Sequence, residues 1–428
     1  MIGWFVFVNL LWLLAGLGVT SAAGWRTGPG VAYLAGIASY GVVAQLLFVL
    51  GLSMNRLEVI VVCVVLGLGL LRRTGFDVPR PRAIAVPIGA MVAVLGVDLW
   101  FQPLWAYDSW TFWTPKAQAL SRIGLDAHWF AQPALLNRDY PLLFPSLEAA
   151  GFRFTGYETR LLDVQSLVVV VALLLAFAEI VGPRGPRWRI AIPLLVVLAP
   201  SLADQLAAAE ADIPLASMYA CAAALAYLWH RERAPGALAV SGVLCAGVVA
   251  TKAEGLSFVV ALGVAVMVVE SRRGAAAIAG VVAAAVAIGF VPWRLWVDAH
   301  DIPQQQALGR VSDLGGRVSR ATLAVRYLAE RLLDPRAWLL LVPLLVAVTV
   351  VAYLRGHRRE VVLVGTLVVL CLAAMVFAYW TSQFEINYHL HTSARRVIDA
   401  PILAWAFLIP LVFGANRAFI APRYPQDP

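Results

Sequence analysis

The residues able to do chemistry in this chain gather in the connections between long apolar runs. The longest connection, Tyr107 to Glu148, carries Asp108, Lys116, Arg122, Asp126, His128, Arg138, Asp139 and Glu148, interleaved with Trp110, Trp113 and Trp129. A loop of that length is usually functional or disordered, and this one is too aromatic to be disordered. It reads as a folded element lying on a bilayer surface. Asp108 sits in Ala106-Tyr107-Asp108-Ser109-Trp110, a carboxylate walled by indoles and placed for general-base work. Taken alone, its simpler role is to cap a helix starting at Ser109 or Trp110. Both roles can belong to one residue. Lys116 follows eight residues later; if 109–121 is helical, two turns separate them and both can face one cavity. In isolation Lys116 reads as a snorkelling surface lysine. Asp139-Tyr140-Pro141 forces an extended turn, because the residue before a proline avoids the helical region.

Three further connections carry matching groups. In Glu210-Ala211-Asp212-Ile213-Pro214 the carboxylates are two residues apart and share a face if the chain is extended. Such charges near a membrane are costly and usually functional. As structural residues they are solvated turn groups ahead of a helix whose first turn holds Pro214, and the two readings balance. Thr251-Lys252-Ala253-Glu254-Gly255 interrupts a run that is otherwise apolar from Gly236 to Val269. A hairpin turn explains the charges, but a phosphate partner also explains the lysine. In Tyr388 to Arg396, His389 and His391 make only a weak metal pair on an extended strand. Arg395 and Arg396 suit a phosphate better, with interfacial anchoring as the plain alternative.

The elements that must position these groups are membrane spans. The 428 residues are 61% hydrophobic and 14% charged, with mean hydropathy +0.80, which excludes an ordinary soluble domain. About thirteen apolar runs are long enough to be spans, several of them short. One is expected at 190–203 and one at 57–71. Basic loops holding Arg72, Arg73, Arg80, Arg82, Arg184, Arg187, Arg189, Arg231, Arg233, Arg272, Arg273, Arg355, Arg358, Arg359 and Arg417 alternate with the spans and fall on one side. The positive-inside rule makes that side cytoplasmic. The opposite side holds 100–160, 203–212, 251–254, 294–336 and 381–398, with nearly every acid near a helix end. The segment 294–336 is itself basic, with Arg294, Arg310, Arg317, Arg320, Arg326 and Arg331, and an anionic ligand is a natural reason.

The net charge of +8 therefore anchors loops and does not imply nucleic acid. Cys63, Cys221, Cys245 and Cys371 lie inside apolar runs, with no metal or disulfide spacing. The N-terminus lacks a basic stretch ahead of its apolar core and reads as a retained helix rather than a signal peptide.

At these residues the chain resembles the GT-C membrane glycosyltransferases, in the bacterial branch similar to protein O-mannosyltransferases and aminoarabinose transferases. The resemblance rests on Tyr107-Asp108-Ser109-Trp110 with Phe112-Trp113 and Pro115-Lys116-Ala117; on Asp139-Tyr140-Pro141-Leu142-Leu143; on Ala211-Asp212-Ile213-Pro214-Leu215-Ala216; on Thr251-Lys252-Ala253-Glu254-Gly255; and on His389 through Arg396. They keep the family's order and span residues 100 to about 400. Two departures stand out: three extra spans precede the one at 83–99, and Ala253 stands where the family often has Asn.

The resemblance implies an all-α, GT-C-like helix bundle: extra N-terminal helices over 1–82, a catalytic module over 83–416 with a long external first loop, and a cytoplasmic tail at 417–428. It implies transfer of a sugar from a polyprenyl-phosphate donor to a glycan, lipid or protein acceptor, on the outer face of a bacterial plasma membrane. Inverting displacement would use Asp108 as base and Asp139 to orient the acceptor or Asp108. Lys252, Arg395 and Arg396, with Arg294 as a looser member, would hold the leaving phosphate. Lys116, Tyr140, Glu210, Asp212, Glu254, His389, Trp110 and Trp113 would line the substrate. The scheme requires no metal or cofactor. The alternatives are a transporter or flippase of a lipid-linked or anionic substrate, and a non-catalytic scaffold. Transporters tend to place charges near the bilayer midplane, where this chain has few.

Overall fold

The computed structural model describes residues 1–72, 85–184, 191–234, 236–304 and 314–414. Arg73, Arg80, Arg82, Arg187, Arg189, Arg310 and the tail at 417–428 lie outside the described residues. Every regular element among the described residues is a helix. Seven helices are long and apolar enough to cross a membrane: Ile2–Ala22, Pro29–Val49, Arg160–Val181, Asp212–Glu232, Arg272–Ala299, Arg358–Thr381 and Ile386–Gly414. Gly89–Phe101, Ala237–Val249, Ala253–Val269 and Leu341–Leu354 are apolar but shorter. The chain is a helical integral membrane protein.

Local chemistry sets several boundaries. The apolar run at 190–203 divides into Ala191–Leu198 and Pro200–Leu206, because Pro200 cannot continue the hydrogen-bond ladder. The run at 57–71 starts at a capping box. Asn55 accepts from Leu57 N at 2.8 Å, and Glu58 accepts from Asn55 N at 2.9 Å. That helix, Arg56–Gly67, then tightens into a 3-10 turn over Leu68–Arg72.

Three spans, Pro29–Val49, Asp212–Glu232 and Ile386–Gly414, are the most buried and form the centre. In Pro29–Val49 and Asp212–Glu232, 83% and 89% of the apolar window is buried, against 22% in Arg272–Ala299. Pro29–Val49 is rich in Ala and Gly and Asp212–Glu232 in Ala, small residues that let backbones approach closely. The crossing of Ile2–Ala22 over Pro29–Val49 is the tightest case. A Cβ at Gly16 would lie 1.6 Å from Ala32 O, and one at Gly36 would lie 1.8 Å from Trp12 O. Glu179 closes the other side by accepting from Gly30 N (2.7 Å) and Val31 N (3.1 Å), so it caps the second helix from a distance.

The early helices also support the long connection. Gln45, fully buried, donates to Gly289 O at 2.7 Å and accepts from Leu142 N at 2.8 Å. Leu143 N donates to Ala250 O at 2.9 Å. The chain just past Asp139-Tyr140-Pro141 is thus pinned between two other segments.

The distribution of acids differs from the sequence expectation. Glu270 pairs with Arg233 (2.8 Å) and His230 (2.5 Å), and Glu360 pairs with Arg231. Glu270 and Glu360 thus sit at helix ends beside the basic loops, where they hold arginines in place.

Candidate functional site

Four connections meet around Arg396. Its Nη2 lies 2.6 Å from Asp108 Oδ2. Its Nη1 lies 2.5 Å from Glu210 Oε2, an ion pair by proximity rather than an aligned hydrogen bond. Lys252 Nζ donates to Asp212 Oδ1 at 2.9 Å and approaches Glu254 Oε1 at 3.8 Å. Arg396, Lys252, Asp212 and Glu254 line one small cleft with Phe258, Val397 and Ala400. Tyr140 forms its neighbouring wall. The Lys252 and Lys116 ammonium groups both lie 5.9 Å from the Tyr140 ring.

Irregular helix turns set these positions. Asp108 immediately precedes a π-helical turn, Ser109–Trp113, and Arg395 follows another, Leu390–Ala394. A π turn inserts a residue into the helix and re-aims the side chains beside it; such turns recur at functional sites. Asp108 is itself helical (φ −64°, ψ −32°) and makes no cap hydrogen bond, so the capping role is corrected to an ion pair with Arg396. The 388–396 segment is helical too, not an extended strand. His391 bonds Tyr327 at 3.0 Å, whereas His389 packs edge-on against Tyr379 and Phe384, so the two histidines diverge.

Burial overturns two simple readings. Lys116 is fully buried, not snorkelling. It donates to Asn137 O and is ringed by Phe112, Trp113 and Tyr140. Burial pulls its pKa down to about 7, with Asp139 pulling the other way. Glu210 and Asp212 are likewise buried, at 4% and 5% exposure, so they are not solvated turn residues. Burial pushes the Glu210 carboxyl up, to about 7, against the nearby Arg396 charge. Burial also works against the charge on Lys252, but Asp212 and Glu254 outweigh it and its pKa is raised. Burial pushes the Tyr140 phenol well above its ordinary range.

Other expected members stand apart. Arg395 pairs with Asp204 and is more exposed than Arg396. Arg294 pairs with Asp298 at 2.9 Å, one turn along its own helix. Its neighbour Trp293 does reach the long connection, donating to Asp139 O at 2.9 Å. Trp113 is buried beside Tyr140 and Phe144, whereas Trp110 is exposed and packs on Tyr107.

Asp399 was missed by sequence reading. It is buried, accepts from Ser201 at 3.1 Å, and senses the charges of Asp212, Arg395 and Arg396. Its signal was visible: an acid one helical turn beyond Arg395-Arg396, inside an apolar run.

The arrangement offers two cations flanked by more carboxylates than they can neutralise. Asp212 Oδ2 and Glu254 Oε2 are buried acceptors without hydrogen-bond partners. Such a cleft can accept from hydroxyl donors while its cations face an anion. No protein-family model, curated protein or solved structure matches this chain.

Proposed function

We propose that this protein is an integral membrane glycosyltransferase acting on a polyprenyl-phosphate sugar at the outer face of the membrane. About thirteen spans, with the site's connections external, are part of the same reading. The observation that carries it is the double approach of Arg396 to Asp108 and Glu210, beside Lys252 paired with Asp212. Acids and cations from four separate connections converge there, at helix ends.

In this reading the acceptor hydroxyl gives its proton to Asp108 as its oxygen bonds to the anomeric carbon. The bond from that carbon to the donor phosphate breaks, and the phosphate leaves with the electron pair. Arg396 and Lys252 stabilise the charge that develops on it. The free oxygens of Asp212 and Glu254 accept from sugar hydroxyls. Because Arg396 is already engaged, an arriving phosphate must displace a carboxylate from it. Glu210 gives up its charge most readily, since its pKa is pushed up to about 7 by burial. Displacement at Arg396 also frees Asp108 to face the acceptor.

The test is to offer purified protein a panel of radiolabelled polyprenyl-phosphate sugars and follow binding and sugar release. Binding with release supports the transferase. Movement of the intact lipid across a vesicle membrane, unchanged by Asp108→Ala, supports the transporter reading instead.

A further inference from the structure

Glu148 and Asp163 take no part in the site above. Glu148, on the Leu143–Thr155 helix, is 5% exposed, and Asp163, on Arg160–Val181, is 0% exposed. All four of their carboxyl oxygens are buried without a hydrogen-bond partner. The Asp163 charge bears on Glu148. Neither protonation state is satisfied: ionised oxygens lack donors, and a protonated one lacks an acceptor. Buried polar groups are rarely left this way.

Glu148 lines a cleft between the helices Ile2–Ala22, Leu143–Thr155 and Arg160–Val181. Phe5, Trp12, Phe144 and Phe152 supply aromatic walls, which favour a cation beside the acids. Trp12 is 1% exposed and its Nε1 also lacks a partner, so the same cleft offers an unused donor. Two of the three helices are long and apolar enough to cross a membrane, so lipid is the natural neighbour.

We propose that this cleft seats the headgroup of a membrane phospholipid bearing a primary ammonium group. The ammonium, with three N–H donors, sits on Glu148, with the Asp163 charge nearby, and a phosphate or ester oxygen takes the Trp12 N–H. Ammonium identity matters: a quaternary amine carries the charge but has no N–H to give. This site does not rest on the transferase reading.

The test is native mass spectrometry of the full chain in detergent with phosphatidylethanolamine, phosphatidylcholine or phosphatidylglycerol. A charge-assisted hydrogen bond gives a preference of about tenfold or more for phosphatidylethanolamine over the other two. Glu148→Gln, nearly isosteric, abolishes that preference. Gly151→Leu provides a second, independent variant. A Cβ at Gly151 meets nothing within 4 Å, so a leucine there extends into open space without backbone conflict and obstructs the cleft. It also replaces a helix-interior glycine with a better helix former. Both variants are checked for folding by their helical circular dichroism melts. Equal binding of all three lipids, or an unchanged preference in Glu148→Gln, overturns the proposal.

Discussion

Replacing Arg396 with glutamine removes the cation that Asp108 and Glu210 share. Glu210 is 4% exposed, and its removal from a charged partner resembles breaking a buried ion pair, which costs ~3–5 kcal/mol. The Asp108 side chain is 22% exposed, so water recovers most of its share and it adds ~1 kcal/mol or less. Protonation of Glu210 limits the cost. Its folded pKa, about 7, already lies above the carboxylate reference of 4.5. Stability from this group is therefore fully present below the unfolded pKa and is lost as pH rises through about 7. Without Arg396 the carboxyl titrates higher still, and the loss between pH 6 and 8 steepens. Arg396→Gln should cost about 3 kcal/mol at pH 8 and clearly less at pH 6. Arg396→Lys keeps a charge but meets one carboxylate rather than two, and should cost about half as much. Unfolding of the purified protein, titrated with a denaturing detergent at both pH values, measures this. A cost for Arg396→Gln below about 0.5 kcal/mol at both pH values, or a larger cost at pH 6, refutes the assignment of Arg396 as the cluster's hub.

Other expectations follow from the same geometry. Lys252→Met leaves Asp212 buried and unpaired and should destabilise by ~3 kcal/mol or more; the double variant with Asp212→Asn should recover part of it in a denaturation cycle. The Lys116 pKa is lowered to about 7 from 10.5, so its contribution to stability is lost as pH falls through that window. Melting curves of wild type should therefore gain on Lys116→Met between pH 7 and 10, and parallel curves contradict the burial of a titrating lysine. Glu179→Ala removes two backbone contacts at the start of Pro29–Val49 and should cost ~1–2 kcal/mol in the same unfolding assay.

Much of this site was legible in the sequence because charge is expensive in an apolar chain. Asp108, Glu210, Asp212, Lys252, Glu254 and Arg396 each interrupt or flank a hydrophobic run, and hydropathy alone marks them. What hydropathy does not carry is geometry. The π turns at Ser109–Trp113 and Leu390–Ala394 have no compositional signature, so Asp108 read as a cap and His389–His391 as a strand pair. Arg395 and Arg396 are equivalent by composition, but successive helical positions point about 100° apart, and only Arg396 reaches Asp108. Lys116 read as a surface residue because the rings that bury it, Phe112, Trp113 and Tyr140, are assembled by the fold around it. The role of Gln45, on a helix that precedes the site by some sixty residues, belongs to tertiary packing and leaves no local trace.

The most direct test of the central claim compares wild type with Asp108→Asn using polyprenyl-phosphate sugars. The asparagine keeps the shape of the side chain but cannot take a proton at neutral pH. The account predicts that both proteins fold and bind the donor lipid, and that sugar release falls by about a hundredfold or more in the variant. Full release by Asp108→Asn contradicts Asp108 as the base. A folded wild type that binds none of these lipids contradicts the transferase itself.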